Sequence, residues 1–409
     1  MRRVAVTGLG AISALGIGIT PFWDRIVAGA SGVRLIRNFD ATGFLAQVAA
    51  EVPAYDPDAH FSEAERDILD RFAQFALIST QEAVAQAGLV LGDDERDRAG
   101  VAIGSAMGGA VTQDPRYEKL YANNVTRVHP FSIPRIMNSA AAAQVSMRLR
   151  LRGPALSFGT ACAASAHAIG EAAEIIRAGR ADVMIAGGAD APLAPGVVRG
   201  WEAMRVLAPP PAGDPSRACR PFSRDRLGLV LGEGAGILVL EAWDRAVARG
   251  ATILAEIAGY GATADAAHIT QPGVHAPAHA IAVALAQAEL TTADIDYVNA
   301  HGTGTRLNDA TETAVIKRAF GRDAARLAIS STKAVHGHAM GASAALECLA
   351  TILAIRHGIA PPTAHYTEPD PECDLDYVPN TARGLPMRAA VSNSFAFGGL
   401  NAVLVIRRV

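Results

Sequence analysis

The stretch TACAASAHAIG, residues 160–170, sets Cys162 among small, uncharged neighbours. A lone cysteine in an apolar run is by default a buried, inert hydrophobe. Two features depart from that default. PALSFGTA before it reads as a strand, and ACAASAHAIGEAAEIIRAG as a helix with apolar residues at helical period. This predicts Cys162 at a strand-to-helix corner, where the positive end of the helix dipole favours thiolate over thiol. The small neighbours also leave room for something bulky bonded to the sulfur.

Two histidine motifs follow. NAHGTGT puts His301 at a strand end, with glycines that let a ligand approach the backbone and the hydroxyls of Thr303 and Thr305 beside it. STKAVHGHAMGASAALE puts Lys333, His336 and His338 at a second strand-to-helix corner. Lysine is the rarer cation here: only Lys119, Lys317 and Lys333 occur among 37 basic residues. A fourth motif, NSFAFGGLN, lets Gly398 and Gly399 take positive φ, so the N–H of Phe397 can face a cavity. Its bland reading is a β-turn with two core aromatics. Sites on open α/β sheets gather at strand C-terminal ends, and the cysteine and both histidine motifs are placed at such ends. One histidine alone reads as structural; two at glycine-flanked strand ends, beside a helix-capped cysteine, favour a functional site. Asp309 and Glu312, at i, i+3 on a helix start, fit dipole stabilisation and a site role equally. His336 and His268 read as structural.

The elements that must position these groups alternate along the chain. Buried-strand patterns run over 2–8, 100–106, 181–189, 236–242, 253–261, 297–302, 327–332 and 389–397, with helical runs between. Ser62 and Glu65 make a capping-box signature ahead of one helix, DILDRFAQFALISTQEAVAQAG. Pro134 opens another, through Ala140–Arg148. APLAPG (191–196) and APPPAGDP (208–215) read as surface loops. The class is α/β with helices on the sheet faces, and two halves would join near 248–256.

Composition narrows the function. Of 409 residues, 50% are hydrophobic and the net charge is −3, so no basic excess suggests a nucleic-acid groove. Four cysteines with no CxxC pair suggest neither a metal site nor a disulfide framework. TGLGAIS lacks the third glycine of a dinucleotide fingerprint, and GEGAG has no Lys-Ser/Thr after it, so both read as tight turns. The N-terminal MRRVAVTGLGAISALGIGIT imitates a signal peptide, but glycines at 8, 10, 16 and 18 interrupt it. No stretch approaches the ~18 apolar residues of a membrane span. A cytoplasmic protein is expected.

In order, RRVAVTGLG, RGPALSFGTACAASAHAIG, GEGAGILVLE, NAHGTGT, STKxxxGHxxGAS and NSFAFGGLN resemble the elongating β-ketoacyl-acyl carrier protein synthases across essentially the whole chain. These are thiolase-superfamily condensing enzymes of fatty-acid and type II polyketide assembly. The resemblance implies a thiolase-like fold, layered α/β/α/β/α, with two similar halves, 1–250 and 251–409. It implies decarboxylative Claisen condensation of a Cys162-bound acyl chain with malonyl-acyl carrier protein. His301 and His338 would bind the malonyl thioester carbonyl. Lys333 would orient them, with Asp309 and Glu312 nearby. The N–H groups of Cys162 and Phe397 would form an oxyanion hole, with Phe397 also a gate. Thr303 and Thr305 would hold the pantetheine arm, and Met107 would close the acyl pocket. No cofactor or metal is implied. The implied partners are an acyl carrier protein and a second subunit, in a homodimer or a heterodimer with a chain-length factor.

The chemistry is consistent with these residues. Loss of CO₂ leaves an enolate, which needs donors aimed at its oxygen rather than a base, and two imidazole N–H groups supply them. A thiolase would need a second cysteine as base; a starter-type enzyme would carry Asn in place of His338; a non-catalytic chain-length factor would lack Cys162. The alternative is a non-elongating decarboxylase or structural subunit that keeps the fold, and intact Cys162, His301, Lys333 and His338 argue against it. Some positions depart from the pattern. Leu400 replaces the usual threonine of FGGTN, as in nodulation-type and secondary-metabolite relatives, and Ala344 stands where glycine is common. Asp67 and Ile68 stand where relatives carry basic residues, so a carrier-docking patch would have to come from Arg66, Arg71, Arg127 and Arg205.

Overall fold

Ten strands carry the architecture of this computed structural model, which describes residues 2–409. The first half holds β1 (Val4–Ser13), β2 (Ala99–Gly104), β3 (Ala155–Phe158), β4 (Val183–Asp190) and β5 (Gly234–Ala242). The second holds β6 (Ala255–Ala264), β7 (Tyr297–Asn299), β8 (Ala328–Ser330), β9 (Ala389–Ala396) and β10 (Leu400–Arg407). Their spatial orders are β3-β2-β4-β5-β1 and β8-β7-β9-β10-β6. In both, the first three strands of that order are parallel and the last pairings antiparallel. The chain therefore traces one path twice. The two sets meet where Ala5 and Val6 of β1 pair with Glu256 and Ala255 of β6.

Residues of β1, β2, β4, β5 and β9 are buried throughout, the mark of strands covered on both faces. The covering helices are α1 (Arg71–Ala87) and α2 (Ala140–Leu149) outside the first half, and α5 (His275–Gln287) and α6 (Arg306–Phe320) outside the second. Between them lie α3 (Ala164–Arg177) and α7 (Ser343–His357), which pack on each other and on strands of both halves. The result is the five-layer α/β/α/β/α arrangement. α7 is buried around its whole circumference from Ser343 to Ile355, as a central-layer helix must be. Ser165 of α3 accepts the N–H of Ala345 at 2.9 Å, fastening the two central helices. Asp190, at the end of β4, fastens the halves again. It accepts Ser105 Oγ, the N–H groups of Ala106 and Met107, and that of Gly341 at 2.7 Å.

Three local expectations change. The capping box at Ser62 closes only the short helix Glu63–Ile68. Leu69 is extended, and Asp70 caps α1 afresh through the N–H of Phe72. Pro134 lies inside a separate short helix, Ser132–Ile136; Met137 is extended and α2 restarts at Ala140. APLAPG is only in part a loop, because Pro195 opens the helix α4 (Pro195–Ala203).

Candidate active site

Each half builds the same backbone device ahead of its central helix. Before α3 a 3₁₀ turn spans Ala161–Ala163, and Ala161 takes a left-handed φ of 47°. Before α7 the turn is Met340–Ala342, with Met340 at φ 49°. A non-glycine residue in that region costs about 1–3 kcal/mol, so both turns are held by their surroundings. Cys162 occupies the middle of the first turn and Gly341 the middle of the second. A Cβ on Gly341 would lie 2.5 Å from the Ala106 nitrogen and 2.7 Å from the Asp190 carboxylate. The turn between β9 and β10 uses Gly398 and Gly399 at φ 83° and 69°. A Cβ on Gly399 would meet that of Asp265 at 2.5 Å.

These devices bring Cys162, His301 and His338 together. The sulfur and one ring nitrogen of each histidine all lie within 4.8 Å of one another. The rings stand edge to face, centroids 5.7 Å apart. All three residues line a cavity of about 500 Å³, together with Thr303, Thr305 and Phe397.

What lies behind the two rings sets their tautomers. His338 Nδ1 accepts the N–H of Met340 at 3.0 Å, so its proton sits on Nε2. His301 Nδ1 lies 3.3 Å from the Lys333 ammonium, which is donor only, so its proton also sits on Nε2. Burial and the Lys333 charge hold both imidazoles well below the usual histidine range. Both are neutral donors at neutral pH.

Lys333 is fully buried and also donates to the carbonyl of His301 at 2.6 Å. Its ion-pair partner is Glu347 on α7. The sequence reading did not single out Glu347, although it is the one carboxylate on an otherwise apolar helical run. Asp309 and Glu312 instead clamp the NAHGTG backbone. Glu312 accepts the N–H of His301 at 2.8 Å and of Gly302 at 2.7 Å; Asp309 accepts those of Phe222 and Gly304. Burial pushes Glu312 and Glu347 up to about 7.

The thiolate expectation is reversed. Burial pushes the Cys162 thiol up to about 12, against the pull of the Lys333 cation. A helix terminus contributes about 0.3–1 kcal/mol, under one pKa unit. Burial wins, and the resting group is the thiol. Cysteine and two histidines are also a zinc-type donor set, but the ammonium directly behind His301 opposes a dication there.

Thr303 and Thr305 face the cavity with hydroxyls 2.9 Å apart. Phe397 stacks on Trp201 of α4 at 5.7 Å. Trp201 also lines the cavity and was missed because APLAPG masked the start of its helix. Among the described residues, neither the Cys162 nor the Phe397 N–H donates to a backbone carbonyl. Met107 does not line this cavity; it packs on the central core with its N–H held by Asp190. His336 is buried against Phe22 and bonded to Thr332. His268 sits at the rim and accepts the N–H groups of Thr270 and Gln271.

The docking arginines separate. Arg71 is spent on Glu233, and Arg66 on Asp58. Arg205 is exposed between Met204 and Val206, which line the cavity. Arg127 is exposed but does not line it.

Residues 1–246 match the family model "Beta-ketoacyl synthase, N-terminal domain", and 254–367 its C-terminal counterpart. The chain belongs to the β-ketoacyl synthase family. It is 48% identical to "Nodulation protein E" of Rhizobium meliloti (strain 1021) over 408 residues, 100% of both chains. It is 41% identical to "3-oxoacyl-[acyl-carrier-protein] synthase 2" of Staphylococcus aureus (strain N315), covering 100% of this chain and 98% of that one. A solved type II polyketide acyl-carrier protein in complex with its ketosynthase superposes with TM-score 0.92, at 35% identity, over 100% of this chain and 99% of that one. The present β-ketoacyl synthase is an elongating acyltransferase of this family, which uses no cofactor and takes its substrates from acyl carrier protein. No helix among the described residues is long and apolar enough to cross a membrane.

Proposed function

We propose that Cys162 takes the acyl chain, that His301 and His338 bind the malonyl thioester carbonyl, and that Lys333 is a positioning residue for both. One observation carries this reading: both imidazoles are back-bonded at Nδ1, leaving two Nε2–H donors in the cavity that holds the Cys162 sulfur. In the first half-reaction the Cys162 sulfur displaces the pantetheine thiol, and the thiol proton leaves on that group. In the second, malonyl loses CO₂ and the enolate forms with its oxygen on the two N–H donors. Its carbon attacks the Cys162 thioester, whose carbonyl oxygen is held by the N–H groups of Cys162 and Phe397. Cys162 departs as thiolate and regains a proton from water. Thr303 and Thr305 hold the pantetheine arm, and Phe397, stacked on Trp201, gates it. An acyl-length limit at Met107 requires a chain that runs beyond the present cavity.

Intact-protein mass after incubation with acyl-carrier proteins, then malonyl-carrier protein, tests the assignment. An acyl adduct at Cys162 that disappears as a product two carbons longer forms is expected. Malonyl decarboxylation with no adduct across the panel overturns elongation by this chain.

The active form is assigned as a dimer, with a second copy or a chain-length factor. β3 is an edge strand with its first three residues exposed, and Phe131, Ile133 and Met137 are exposed as well. The native mass of the same sample checks this: the mass of a single chain removes it. Four free, buried cysteines suit a reducing cytoplasm. Arg205, beside the cavity mouth, and Arg127 are assigned to carrier docking. Arg205→Glu and Arg127→Glu are expected to weaken carrier-bound turnover several-fold, most at low salt, and to spare small thioesters. Equal loss on both substrate types would exclude docking.

A further inference from the structure

A second cleft, of about 370 Å³, lies where the start of α1 meets the helix Ala110–Tyr121 and the short helix Ser132–Ile136. It shares no lining residue with the cavity at Cys162. Arg71, Arg116, Lys119 and Arg135 line it, against one carboxylate, Asp70. In a chain of net charge −3 this is a local concentration of cations. Arg71 is already neutralised by Glu233, through contacts of 2.6 and 2.8 Å. Asp70 is committed to the N–H groups of Phe72 and Thr112. The other three cations form no ion pair among the described residues. Arg116 donates to Ser132 Oγ, and Arg135 to the carbonyls of Asp67 and Leu69 at 3.1 and 3.2 Å. The Nε–H of Arg135 is buried with no partner at all. Burial and the neighbouring Arg116 charge hold the Arg135 guanidinium below its ordinary range.

A buried, unpartnered charged donor is costly, and guanidinium forks match tetrahedral oxyanions. We propose that this cleft binds the phosphate-type oxyanion of a small molecule, held by Arg116, Lys119 and Arg135, as a site separate from the condensing centre. The inference rests on none of the roles assigned at Cys162. Two sources share this chemistry: free inorganic oxyanions, and the phosphate ends of a nucleotide such as that of coenzyme A.

Calorimetric titration of the full chain at constant ionic strength tests it, with inorganic pyrophosphate and adenosine 3′,5′-bisphosphate as probes and chloride as reference. The bisphosphate carries no pantetheine arm, so the cavity at Cys162 does not compete for it by that route. Saturable binding is expected, about 10-fold weaker or more in Arg116→Gln and in Lys119→Gln. Lys119 is exposed, so its variant keeps the fold; unchanged melting in chloride verifies this. Tighter binding of the bisphosphate assigns the nucleotide source; equal or tighter pyrophosphate binding assigns the free oxyanion. No heat beyond the chloride reference for either probe, or unchanged affinity in both variants, overturns the site.

Discussion

Replacing His338 with alanine is expected to leave acylation of Cys162 near the wild-type level and to cut malonyl decarboxylation by about 10²–10³-fold. The two steps ask different things of the site. Acylation needs the sulfur and the N–H groups assigned to hold the acyl oxyanion. Decarboxylation needs donors at the enolate oxygen, and His338 is proposed as one of two. Its ring is neutral and its Nδ1 is occupied by the Met340 N–H, so what it offers the cavity is the Nε2–H. His338→Gln restores an N–H donor on a flexible stem and should recover part of the loss. Adduct mass and CO₂ release, measured on the same preparation, read the two steps separately. A variant that loses both equally, or neither, removes His338 from the enolate.

Glu347→Gln is expected to strike harder than its distance from substrate suggests. The Lys333–Glu347 pair is fully buried, and Glu347→Gln leaves the Lys333 side chain without its carboxylate at every pH, as protonation of Glu347 does in the wild type only on the acid side. Thermal melting should fall, and most at alkaline pH, where the wild-type pair is charged. Activity should fall too, since a Lys333 no longer held by Glu347 is free to leave His301 Nδ1 and stops fixing the His301 tautomer. The pH profile separates this from plain destabilisation. Burial pushes the Glu347 carboxyl up to about 7, so in the wild type the charged pair is kept at higher pH and lost as pH falls. The wild-type rate should therefore decline as pH falls through about 7. Burial pushes Glu312 up to about 7 as well, and Glu312 also supports the His301 loop. The acid limb should approach two protons in the wild type and one in Glu347→Gln. An unchanged limb and melting temperature would mean that the pair positions nothing.

Much of this site was legible from residue type and local pattern. Cys162, His301, Lys333 and His338 stand in short motifs whose glycines, threonines and flanking strand and helix periods are properties of neighbouring residues. The chain alone therefore determined the α/β layout, the nucleophile at a strand-to-helix corner and the pairing of a thiol with two imidazoles. The tertiary structure decided what depends on distant segments. It put Glu347 behind Lys333, and moved Asp309 and Glu312 from Lys333 to the loop backbone. It stacked Trp201 on Phe397 and paired Arg71 with the buried Glu233, 162 residues away. It reversed the thiol's charge state, because a helix dipole is local and readable from a turn, whereas desolvation sums over every layer packed around the sulfur. Periodicity marks where an element runs; only packing settles which buried charges meet and which ring nitrogen carries the proton.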